Sequence, residues 1–152
     1  MDKETKRRLL WDACYNVRDL GGFTTQDNQQ TRWGAYVRAD NLARLSPAGR
    51  EVLIDYGVTT IIDLRSDYEL DIDPPPFAPL SEQSDYPYYV NLPLLDESDK
   101  EGIQLIDQSQ SLSETYRLIV DRFQENIAVI LRDCLINRFT VQNDWYQPTD
   151  AA

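Results

Sequence analysis

Residues 46–64 read SPAGREVLIDYGVTTIIDL, and this stretch decides the fold. Ser46 can accept a hydrogen bond from the free amides of a helix start, Pro47 fits the first helical position, and Gly57 fits the exit. Between them Val52, Leu53 and Tyr56 fall on one face. Val58–Leu64 follows at once, β-branched and largely apolar, as expected of a buried, central strand in a parallel sheet. A helix passing through one glycine into such a strand predicts an α/β fold.

Working outward, Asn16–Phe23 (NVRDLGGF) reads as a strand end running into a turn at Gly21 and Gly22. Thr24–Thr31 is polar and loop-like, and Trp33–Ala39 is a candidate short strand. Past the buried strand, Asp73–Pro79 (DPPPFAP) is a proline-rich breaker. Tyr88–Leu94 (YYVNLPL) reads as another strand, and Asp96–Lys100 as an acidic loop. Ser111 and Glu114 have capping-box spacing. Behind them Leu112, Tyr116, Ile119, Phe123, Ile127, Ile130 and Cys134 recur at helical steps, which predicts one long amphipathic helix. Asn137–Ala152 shows no period and reads as an irregular tail.

The chain of 152 residues fits one domain and can build a real core. Its formal net charge of -11 repels a phosphate backbone, which argues against nucleic-acid binding while leaving room for a local basic pocket. There is no histidine, so imidazole acid–base chemistry and His metal ligation are excluded, and neither Cys14 nor Cys134 has zinc spacing. No cofactor or metal is expected. The charged start, MDKETKRRLLWDA, lacks the apolar core of a secretory leader, and no run approaches the ~20 apolar residues of a membrane span. The expected location is the cytoplasm, with no membrane partner.

Few residues can carry chemistry. Asp63-Leu64-Arg65-Ser66 sits where the buried strand ends, a common place for α/β sites. The plainer reading, an Asp63–Arg65 ion pair with Ser66 capping a helix at Asp67, is favoured by spacing alone. Asn16, Arg18 and Asp19 precede the Gly-Gly turn, where such side chains usually bond local backbone. Asp96 follows an apolar strand and a proline, as a positioned acid or as a solvated loop residue. A cysteine phosphatase needs an arginine six positions after its thiolate, so that both reach one phosphoryl group. Cys134 has Thr140 there, with Arg138 only four on, and Cys14 has Leu20. Cys134 reads as a core residue.

Taken in order, these segments resemble a bacterial tyrosine phosphatase family. Asn16–Gly22 is similar to its opening NFRDLGG motif. Arg32-Trp33-Gly34, Arg38–Leu42 and Leu45 are similar to RWGxLFRSDxLxxL, and Gly57–Ser66 to GIxTVIDLRS. Asn91–Asp96 resembles the strand and loop carrying the general acid, and Ser113–Leu131 the helix before the catalytic strand. The family's next loop, HCxAGKDRTG, has no counterpart.

The resemblance implies an incomplete cysteine-phosphatase-like fold, a mostly parallel sheet flanked by helices, over 1–135, with an unrelated tail at 136–152. It implies hydrolysis of phosphotyrosine proteins or other phosphomonoesters through a cysteinyl phosphate. Asp96 would be a vestigial general acid, and Arg18, Asp19 and Arg65 substrate-binding residues. No nucleophile is present, so the expectation is a truncated or frame-shifted, inactive member. The alternative is a non-catalytic phosphate-binding or interaction protein. Loss of the catalytic strand also predicts an unpaired edge at Val58–Leu64, marginal stability and self-association.

Overall fold

The computed structural model describes residues 6–77 and 86–136. Among the described residues four short strands form two pairs. β1 (Arg18–Asp19) and β2 (Val37–Arg38) run antiparallel, with Arg18 opposite Arg38. β3 (Thr60–Asp63) and β4 (Tyr88–Asn91) run parallel, with Thr60 opposite Tyr88 and Asp63 opposite Asn91. Five α-helices lying wholly within the described residues accompany them: α1 (Pro47–Asp55), α2 (Asp67–Ile72), α3 (Lys100–Asp107), α4 (Leu112–Arg122) and α5 (Gln124–Ile136). The result is an α/β fold with one parallel and one antiparallel strand pair accompanied by helices.

The opening stretch forms the expected helix and parallel strand. However, β3 covers only Thr60–Asp63 of the expected Val58–Leu64, buries only Ile61, and has only β4 beside it among the described residues, so it is neither central nor fully buried. The Ser46 hydroxyl accepts from the Gly49 amide, Pro47 begins α1, and Tyr56 ends it. Gly57 then takes φ 90°, a left-handed conformation costly for any residue with a Cβ, and turns the chain into β3. Only Leu53 of the three predicted face residues is fully buried; Val52 is about half exposed, and Tyr56 is 37% exposed with its hydroxyl turned inward to Asp19. Ser66 starts α2 with a full capping box, its hydroxyl accepting from Glu69 and the Glu69 carboxylate accepting from the Ser66 amide.

The core lies almost wholly in the first half of the chain. Trp11, Cys14, Val17, Leu45, Leu53, Ile61 and Phe77 form one buried cluster. Full burial of a side chain such as Leu53 or Phe77 contributes about 1.5–3 kcal/mol.

Three expectations need correction. The long helix is two helices: the chain leaves helical geometry at Phe123 (φ -108°, ψ 37°) and restarts at Gln124. The break lets the Phe123 ring enter the interior, where it is 3% exposed. The apolar stripe is accordingly not one face, since Leu112 and Tyr116 point to solvent. The acidic loop ends sooner than read, because Asp99 accepts from the Gly102 amide and caps α3. The second strand is shorter than Tyr88–Leu94, stopping at Asn91 before Pro93. Residues 137–152, read as an irregular tail, and the end of the proline-rich segment lie outside the described residues, and α5 runs through Ile136.

Candidate functional site

The carboxyl ends of β3 and β4 bring together the polar residues nearest to a site. Asp63 closes β3 and Arg65 folds back onto it. The Arg65 guanidinium donates from Nε to Asp63 Oδ1 (3.0 Å) and from its terminal nitrogen to Oδ2 (2.7 Å). Its other terminal nitrogen donates to the Asp73 carbonyl at 2.9 Å. The Tyr89 hydroxyl adds a bond to Asp63 Oδ2 (3.0 Å), and the Asn91 amide bridges the carbonyls of Asp63 (3.0 Å) and Arg65 (2.9 Å). Burial disfavours charge on Asp63, yet the guanidinium, the Arg65 amide and Tyr89 outweigh it and hold the carboxyl below the ordinary range. Burial, then Asp63 itself, pushes the Tyr89 phenol up. The cluster is a self-satisfied pair in which Arg65 already has its counter-ion. An incoming anion would have to displace a bidentate carboxylate.

Asp19 is the most buried polar residue, with no exposure. It accepts from the Gly21 amide at 2.6 Å, the Gly34 amide at 2.7 Å and the Tyr56 hydroxyl. Three separate segments thus converge on one carboxylate. Burial and then the Asp19 carboxylate push the Tyr56 phenol up to about 12. The two glycines beyond β1 are needed for a packing reason. A Cβ on Gly21 would lie 2.6 Å from the Trp33 backbone, and Gly22 takes φ 73° against the same indole. Arg18 stands on β1 opposite Arg38, half-buried.

Asp96 stands apart from both clusters, exposed on the loop before α3. Its carboxylate accepts from the Ser98 amide at 2.8 Å, and hydrogen bonding from Ser98 holds it below the ordinary range, so it is ionised at neutral pH. Asp99, Glu101 and Arg122 form a surface network tying α3 to α4; Arg122 and the Gly102 amide lower the Asp99 carboxyl to about 2.

The two cysteines differ in their surroundings. Cys14 is buried, and burial together with the Asp40 and Asp12 charges pushes its thiol up to about 11. Cys134 lies half-buried on α5, lining a cavity beside β3. Tyr89 and Asn91 were not singled out by sequence reasoning, and Tyr56 only as a helix-face residue. Asn91 alone had a signal, as a polar residue inside an apolar strand. Among the described residues no His, Cys, Asp and Glu cluster could hold a metal, and no helix is long and apolar enough to cross a membrane.

The structure is thus an α/β domain with a carboxylate–arginine pair at the mouth of its parallel strand pair and a glycine turn anchored by a buried aspartate. The pattern of the tyrosine phosphatase family matches residues 9–141, and the chain belongs to that family. No curated protein matches the chain.

Proposed function

We propose that this chain is a tyrosine phosphatase family member that does not hydrolyse phosphoesters by itself. The observation carrying the proposal is the cysteine arithmetic: no cysteine in the 152 residues is followed by an arginine at the sixth position. The family reaction needs both, one to attack phosphorus and one to hold the phosphoryl oxygens. The raised thiol of Cys14 supports the reading, since an un-ionised thiol is a poor nucleophile. Removing a nucleophile alone typically costs several orders of magnitude in rate. Asp96 is a vestigial general acid in this reading; in its ionised state it has no proton to give a leaving phenolate. Arg18, Asp19 and Arg65, the proposed substrate contacts, serve mainly as scaffold, because Asp19 and Arg65 are already engaged within the protein. Phosphotyrosine proteins or other phosphomonoesters are the substrate class of the whole reaction.

The test is turnover of p-nitrophenyl phosphate by the purified chain, with Cys14→Ser and Cys134→Ser beside it. The expected result is no turnover above buffer in all three. Turnover that Cys134→Ser abolishes would make Cys134 a nucleophile and overturn the proposal.

A further inference from the structure

Three arginines stand side by side where the first segments of the chain pair. Arg8 bridges antiparallel to Arg18, and Arg18 lies opposite Arg38. Residues directly opposite in an antiparallel pairing carry their side chains on one face, so the three arginines form a row. Val17 and Asp19, on either side of Arg18, are wholly buried, so the row lies on the face opposite to theirs. Arg8 and Arg38 are exposed, and Arg18 is half-buried between them. At a strand spacing of about 4.7–4.9 Å the row is roughly 10 Å long. Just ahead of it Lys6 sits 4.6 Å over the Trp33 ring and Arg7 4.0 Å over the Phe23 ring, which extends the positive region. The chain as a whole is acidic, yet residues 1–50 carry nine Lys and Arg against six Asp and Glu, and the remainder six against twenty.

Like charges directly opposite each other are destabilising, so the row opposes folding unless an anion joins it. The carboxylates that share a cavity wall with Arg38 are engaged elsewhere. Asp40 accepts from the Tyr15 and Asn16 amides, Glu69 accepts from the Ser66 amide, and Asp63 holds Arg65. Among the described residues neither Arg8 nor Arg38 makes an ion pair. Arg18 already interacts within the chain, so the two outer arginines are the ones that meet a ligand.

We propose that the row Arg8, Arg18 and Arg38 binds a linear oligophosphate, with Arg8 and Arg38 donating to its two ends and Arg18 adding charge from between. The planar fork of a guanidinium matches phosphate oxygens in pairs. A single phosphate reaches only one neighbouring pair of arginines, whereas a short chain of phosphoryl groups lies along all three. No bond is made or broken in this role. The row shares no residue with Asp96, the cysteines or the Asp63–Arg65 pair, and it stands whether or not the chain turns over phosphoesters.

The experiment is calorimetric titration of the full chain with sodium tripolyphosphate and, at matched ionic strength, with orthophosphate. Tripolyphosphate is expected to bind saturably and at least tenfold more tightly than orthophosphate. Arg8→Gln and Arg38→Gln should each weaken it at least fivefold, while Arg117→Gln, on α4 and outside the row, should leave it unchanged. Equal affinity for the two anions, or binding that both row variants retain, would mean an adventitious ion only and would overturn the proposal. Thermal melting of the ligand-free proteins supplies a second arm. Removing one charge from an uncompensated row should leave the melting temperature equal or raise it. A lower value in either row variant would show that a carboxylate of this chain, those of residues 1–5, 78–85 and 137–152 included, already neutralises the row, and the proposal would fall.

Discussion

The segment around β1, β2 and α1 and the helical segment α3–α5 contrast in how they satisfy their polar and apolar groups. In the first, three segments converge on the buried Asp19, and all seven members of the core cluster lie between Trp11 and Phe77. In the second, Phe123 is the one large side chain fully inside, while Leu112, Tyr116, Val120, Leu131 and Leu135 stand exposed. Its polar groups pair on the surface, as Arg122 does with Asp99 and Glu101. Stability therefore resides in the first region. The second is held by a narrower apolar contact and offers its outer faces to solvent or to another surface.

The contrast breaks most decisively at Asp19. Asp19→Ala leaves two amides and a phenol without their acceptor, and a loss of about 3–5 kcal/mol is expected in urea unfolding. A loss below about 1 kcal/mol would show that the first region does not hang on this carboxylate. Asp63→Asn comes next, at about 1–3 kcal/mol at neutral pH, since Asp63 and Arg65 are both mostly buried. The Asp63 carboxyl is depressed in the fold. Its contribution is complete above the unfolded value of about 3.9 and lost as pH falls through the folded value. Acid titration of stability should thus be steeper in the parent than in Asp63→Asn over that window; parallel curves would remove the ion pair from the account. The smallest effect is expected at Asp99→Asn. Asparagine still caps α3, so only the charge pair with Arg122 is lost. This pair too is depressed, to about 2, and contributes only above the unfolded carboxylate range. Because it is exposed, the difference should vanish in about 1 M salt; a difference that survives salt would make the second region more tightly bound than described.

What was legible in the sequence was local. Ser46, Pro47 and Gly57 bracket α1, and Ser66 with Glu69 starts α2, because capping is a conversation between residues three apart. Family motifs carried the rest of the class. The break at Phe123 was not legible, since the apolar recurrence continues across a one-residue interruption and cannot say which side of each helix is covered. The role of Asp19 was hidden for another reason: its partners Gly34 and Tyr56 lie 15 and 37 residues away. Arg65 was visible as a possible ligand and as an ion-pair partner. Only coordinates show that Tyr89, Asn91 and Asp73 complete a closed network around it.

The unequal placement of the two cysteines has a practical side. Cys14 is buried in the core with its thiol pushed up to about 11, so slow reaction with alkylating reagents and mild oxidants is expected at neutral pH. Cys134 is half-buried on α5. A thiol-reactive dye under native conditions is therefore expected to react at Cys134 before Cys14, without any mutation. Cys134 lines a cavity beside β3, so the dye's emission would report on the packing of α5 against the strand.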